Sequence, residues 1–209
     1  MPRPQSRAEF IVDATLHGIG LAFGVAACGA MAAIATMRAS PDLATRFIPY
    51  GIGLVAMFAC SALYNLTRGR RWNPIFRRFD HAAIFLMIAG TYTPFSLAMT
   101  DRAWGLGLLA FVWAMALAGA AFKLLLPGRF ERISVLLYLA LGWAVLPAFG
   151  VLLSSIPGWA VALLVTGGAL YTLGVLFHLW ESLHFQNAIW HGFVLLAAVC
   201  HFGAVLVAA

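Results

Sequence analysis

Seven apolar stretches punctuate the chain, at 14–37, 47–66, 80–99, 104–126, 133–153, 159–180 and 187–208. Each is close to the roughly 20 residues that a helix needs to cross a bilayer. The polar segments between them are short. The longest, TRGRRWNPIFRRF at 67–79, is also the most basic. The pattern predicts an all-α integral membrane protein, a seven-transmembrane-helix bundle forming one domain over residues 1–209, with no chain left for a soluble domain.

Composition agrees with the pattern. The 209 residues are 63% hydrophobic and only 10% charged, against about 25% charged in soluble domains. The first apolar run lacks a signal-peptide head and a small-residue cleavage pattern, so it is expected to be retained. Cys28, Cys60 and Cys200 all fall inside apolar runs, which suggests small buried residues rather than a disulfide framework or a thiolate zinc site. The net charge of +6 does not call for a nucleic-acid partner, because the arginines sit in short connections where they set orientation. With the N-terminus inside, ten Lys and Arg lie on the inner side (Arg3, Arg7, Arg68, Arg70, Arg71, Arg77, Arg78, Lys123, Arg129 and Arg132) and three outside (Arg38, Arg46 and Arg102). This predicts a cytoplasmic N-terminus, an outside C-terminus and a multi-pass place in the cell membrane, the inner membrane of a bacterium.

That orientation gives every intramembrane polar residue a depth. Asp13 and His17 open span one, Ser61 and Asn65 close span two, and Asp80 and His81 open span three. His178, Glu181 and His184 end span six, and Asn187 and His191 open span seven. All lie toward the cytoplasmic side, while His201 stands apart, about 21 Å along its helix from Asn187. Residues four apart share a helix face, so Ser61 with Asn65 and Asn187 with His191 can offer two polar pairs to one interior pocket. Intramembrane ionisable groups usually face a cavity or a partner. The plainer reading makes Asp80 and His81 interfacial groups at the N-terminus of span three, with Asp80 favoured by the helix dipole. His17 reads equally as a hydrogen-bonded packing residue, and His201 reads as packing. Gly20 and Gly24 form a small-xxx-small pattern suited to close helix contact, within the chain or between chains. Pro94 and Pro147 should kink their helices, and several of Trp104, Trp143, Trp159, Trp180 and Trp190 fall near span ends, as interfacial anchors do.

Three segments, SALYN at 61–65, RRFDHAAIFLMIAGTYTPF at 77–95 and NAIWHGFVLLAAVCHF at 187–202, together with ATLHGIG at 14–20, resemble the hemolysin III-like members of the progestin and adiponectin receptor (PAQR) family. The resemblance runs through nearly the whole chain in the family's order. It implies a seven-helix bundle with a cytoplasmic N-terminus, and a zinc site near the cytoplasmic face built from three histidines with an aspartate and a serine close by. It also implies kinship with alkaline ceramidase-like enzymes that hydrolyse lipid amides. Carried over by position, Ser61 and Asp80 are the serine and the aspartate, the candidate catalytic pair, and His191 is one metal ligand. Asn65 and Asn187 stand where the other two histidines belong.

Zinc prefers imidazole and thiolate ligands, whereas an amide oxygen suits harder cations. One imidazole with two amides is a poor zinc site. The expectation is therefore a degenerate zinc site: a metal-free polar pocket of Ser61, Asn65, Asp80, Asn187 and His191, flanked by His81 and His17. A rearranged site would pair His191 with His184, Glu181 or His178. Three functions stay open. They are a zinc-dependent hydrolase of a lipid amide, a non-catalytic lipid-binding or receptor-like membrane protein, and a pore-forming cytolysin, the last disfavoured because a conducting path needs polar residues through its full depth. Membrane lipids are the expected partners.

Overall fold

The computed structural model describes residues 5–126, 128 and 131–209, with backbone alone at 131 and 132; Arg3 and Arg129 of the charge count lie outside the described residues, as does the side chain of Arg132. The described residues form helices and no strands. In chain order the helices are α1 (Arg7–Met37), α2 (Pro41–Leu66), α3 (Asn73–Ala98), α4 (Arg102–Leu125), α5 (Glu131–Gly142), α6 (Phe149–Ser155), α7 (Gly158–Leu179) and α8 (Gln186–Val207), with a 3-10 turn at Leu146–Ala148 joining α5 to α6. Taking Ile133–Ser155 as one broken crossing, seven segments among the described residues are long and apolar enough to span a membrane. Large apolar side chains such as Ile19, Val25, Ile52, Leu136 and Leu176 point outward and are at least half exposed. That surface is untenable in water and ordinary against lipid. The chain is a multi-pass membrane protein.

Local chemistry explains the helix starts. Ser6 and Glu9 make a capping box, Ser6 Oγ accepting from Glu9 N at 3.2 Å and Glu9 Oε2 from Ser6 N at 2.7 Å, so α1 begins at Arg7, a full turn and more before the apolar run. Ser40 caps α2 with Pro41 in its first turn. Asp101 caps α4 through Ala103 N and Trp104 N. The start of α3 departs from expectation. With a proline in its first turn it opens at Asn73, which puts Asp80 and His81 about two turns inside the helix. Neither is an N-terminal group, so the dipole of α3 is not what holds them.

The bundle is organised around α3, whose most apolar stretch is 67% buried against 22% for α1. Its approach to α2 is backbone-close: a Cβ on Gly90 would lie 2.6 Å from the Pro49 carbonyl oxygen, and one on Gly53 would lie 3.0 Å from Met87 Cα. Gly20 serves α1 in the same way, leaving room for the Phe58 ring of α2. The small-residue pair of span one is thus used within the chain. Trp104, Trp159 and Trp180 stand exposed at helix ends, as anchors should. Trp143 instead donates to Thr172 Oγ1 at 3.1 Å, tying the turn after α5 to α7.

The fifth crossing breaks at Pro147, and Tyr92 of α3 repairs the break. The Tyr92 hydroxyl donates to Gly142 O at 2.9 Å and accepts from Val145 N at 3.0 Å, serving a carbonyl and an amide that the interrupted helix leaves open. Inside a bilayer such groups have no water to turn to. Tyr92→Phe strands both. We expect it to cost about 1–3 kcal/mol and to lower the thermal unfolding midpoint of detergent-purified protein, while an unchanged midpoint would show that the break finds other partners.

Candidate metal and hydrolytic site

Glu9 anchors the site from outside it. Its Oε2 completes the cap of α1, and its Oε1 accepts from Phe185 N at 2.7 Å. Phe185 precedes α8 in the left-handed conformation, with φ of 59°, which a bulky residue adopts rarely. One carboxylate therefore fixes the starts of α1 and α8 against each other. One turn further along α1, and about a turn and a half into α8, this brings Asp13 against His191.

Asp13 Oδ1 and His191 Nδ1 are 2.6 Å apart. An ionised carboxylate only accepts, so the imidazole donates from Nδ1, and its neutral form then carries the lone pair on Nε2. That Nε2 faces Ser61 Oγ at 3.5 Å. His17 completes the group, its ring centroid 4.3 Å from that of His191 and its Nε2 at 3.7 Å from Asp13 Oδ2. Asp13 is 1% and His17 2% exposed. His17 Nε2 has no hydrogen bond.

Ser61, Asn65, Asp80, His81, Asn187 and His191 all line a single cavity of about 1420 Å³ within the bundle, as does His17; Asp13 lies off its wall. The structure thus gathers the residues singled out in the sequence. The Asp80 carboxyl lies beside Ser61. His81 accepts Tyr138 Oη on its backbone oxygen at 2.9 Å and sets its ring edge-on to Tyr64. The two asparagines do something else. Arg68 Nη2 donates to Asn65 Oδ1 at 2.8 Å. With the Asn187 amide turned so that both its ends are satisfied, its oxygen accepts from Arg68 Nη2 at 2.5 Å and Nη1 at 3.0 Å. A guanidinium cation thereby holds the two amide oxygens that occupy the expected ligand positions.

Arg68 thus occupies the side of the pocket where the resemblance implies ligands, and a neighbouring group offers metal-ligand atoms instead. Among the described residues, Asp13, His17 and His191 form a group that could hold a metal ion, with ligand atoms within 4.8 Å of one another. Zinc bonds of about 2.0–2.1 Å in a tetrahedron put ligand atoms about 3.3 Å apart. Asp13 Oδ2 and His17 Nε2, too far apart to hydrogen-bond, are near that spacing. Two imidazoles and a carboxylate are also the donor set of several catalytic zinc sites. The other histidines do not join. Glu181 and His184 are exposed in the connection after α7, and His178 packs its ring 5.0 Å from Trp190, because α7 ends at Leu179 and the chain turns outward before α8. Asp13, one of the cytoplasmic-side polar residues of the sequence, was not among the residues assigned to the pocket. Its four-residue spacing to His17, behind the S-x-x-E start signal at Ser6 and Glu9, was the available sign.

A seven-crossing helical membrane protein with a buried carboxylate and histidine group beside an internal cavity is the class that fold and site define. Residues 8–202 match the family described as Haemolysin-III related. The chain is 36% identical over 198 residues to the "Hemolysin-3" of Bacillus cereus, covering 95% of this chain and 90% of that one. It is 35% identical to the "Hemolysin-3 homolog" of Bacillus subtilis (strain 168), over 95% and 93%. The human "Monocyte to macrophage differentiation factor" is 30% identical over 167 residues, 75% of this chain and 67% of that protein. The protein belongs to the hemolysin III group of the PAQR family.

The contact of Glu9 with Phe185 predicts a measurable cost. Glu9→Ala removes two hydrogen bonds to a carboxylate and should destabilise the purified protein by about 2 kcal/mol. A loss below about 0.5 kcal/mol in equilibrium unfolding would show that the ends of α1 and α8 are placed by other contacts.

Proposed function

We propose that this protein is a membrane-embedded hydrolase of a lipid amide whose metal is held by Asp13, His17 and His191 rather than by the family's expected positions. The observation that carries this reading is the buried His17 Nε2, without a hydrogen bond, beside Asp13 and His191 on the cavity that also contains Ser61 and Asp80. An unsatisfied polar atom in a membrane interior is costly, and a metal ion is a partner that would satisfy it. Bound there, zinc would supply Lewis acidity toward an amide carbonyl.

The remaining work falls to the chain's own groups. The Asp80 carboxylate is the base that takes a proton from the attacking water and returns it to the leaving nitrogen. The Ser61 hydroxyl, between Asp80 and His191, donates to the oxygen that gains charge. Asp13 holds the His191 ring through its Nδ1–H, a hydrogen bond that metal binding by the same three residues would displace. Arg68 engages the amide oxygens of Asn65 and Asn187, while Asn65 Nδ2 donates to Ser61 O at 3.0 Å. The apolar length of the cavity takes the acyl chain. We place this centre on the cytoplasmic side of a bacterial inner membrane, following the excess of basic residues at that end.

A second reading, a non-catalytic lipid-binding protein, is favoured by the engagement of both asparagines with Arg68 and by the short Asp13–His191 hydrogen bond, which together describe a self-satisfied polar cluster. Turnover separates the two. Purified protein supplied with zinc and a fluorescent ceramide should release fatty acid, with the rate falling at least about 100-fold in Asp80→Ala and in His17→Ala, and little in Asn65→Ala. Saturable ceramide binding with no product in the zinc-loaded protein would establish the second reading instead.

A further inference from the structure

The far end of the cavity carries polar chemistry that the hydrolytic centre does not use. His201, on α8, and Tyr171, on α7, both line the cavity, with ring centroids 5.5 Å apart. Neither the Tyr171 hydroxyl nor His201 Nδ1 has a hydrogen bond, although both atoms are buried. His201 Nε2 lies 3.3 Å from the Leu164 carbonyl, and a carbonyl only accepts, so this nitrogen is the donor. In the neutral ring Nδ1 is then an acceptor. The side chain is held in place as well as oriented. A Cβ on Gly167 would lie 2.3 Å from the His201 ring, so α7 is open at the one position the imidazole needs.

An acceptor and a hydroxyl on neighbouring rings, both unsatisfied, ask for a group that donates and accepts at once. A ligand hydroxyl does both. The position sets where on a ligand it must lie. His201 is ten residues beyond His191, about 15 Å along α8, which is mid-chain for a long acyl group whose carbonyl end is at the hydrolytic centre. We propose that Tyr171 and His201 form a second polar station that binds a mid-chain hydroxyl, so that the cavity selects lipids with hydroxylated acyl chains. This deepens the lipid reading of the cavity and rests on it.

The test is binding rather than turnover, so it stands apart from the metal and the catalytic groups. Stearate, stearate hydroxylated at mid-chain and stearate hydroxylated next to the carboxyl are titrated into the purified full-length protein, and into the Tyr171→Phe/His201→Phe variant. The mid-chain hydroxyl should tighten binding about tenfold over stearate, the hydroxyl beside the carboxyl should not, and the variant should bind stearate as before while losing the preference. Equal binding of all three, meaning that the station holds water alone, overturns the proposal, as does a preference that survives in the variant. Equal binding with ceramide still hydrolysed would overturn the station and leave the hydrolase reading intact. Failure of all three acids to bind would overturn the station, and ceramide turnover would then decide the hydrolase reading separately.

Discussion

A carboxylate buried in a lipid-facing helix is the constraint around which this molecule is arranged. Asp13 is 1% exposed on a helix most of whose surface faces outward, and a charge so placed is tolerated only with close partners. Its partners come from two crossings at opposite ends of the sequence, His17 one turn along α1 and His191 on α8. Glu9 brings those crossings together by capping α1 and holding Phe185 N at the start of α8. The polar group thus sits where α1 meets α8, against a bundle whose apolar packing centres on α3.

The same constraint accounts for the chemistry of the substituted positions. Asn65 and Asn187 replace ligands with amides, and Arg68 takes up their oxygens, so a fixed side-chain cation stands against the pair. A carboxylate and two imidazoles meet instead at Asp13, His17 and His191. The amides at one wall and the carboxylate with two imidazoles beside it are why the metal proposed here is assigned to Asp13, His17 and His191.

Most of the architecture was legible because hydropathy reports directly on bilayer crossing: each of the seven apolar runs corresponds to one crossing. What hydropathy could not give was where helices begin in the polar flanks. Reading α3 from the apolar residues placed Asp80 at a helix terminus, yet the helix starts at Asn73 because capping and a first-turn proline, not apolarity, decide a start. Pro147 correctly marked the break in the fifth crossing, but its repair by Tyr92, some fifty residues earlier, depends on tertiary contact. The pairing of Ser61 with His191 likewise joins residues 130 positions apart. Spacing showed that each could reach a common pocket and could not show that they do. Asp13 was passed over for the same reason, since its meaning comes from α8. His201 read as an isolated packing residue because Tyr171 and Gly167 belong to a different helix.

The metal site proposed at Asp13, His17 and His191 is open to direct test. X-ray absorption at the zinc edge, on protein loaded with one equivalent and washed, reads the ligands directly. Near-stoichiometric zinc with two imidazoles and oxygen donors at about 2.0–2.1 Å is expected, with loss of that signature in Asp13→Asn/His17→Ala. Protein that retains no zinc, or a spectrum that the double substitution leaves unchanged, would contradict it.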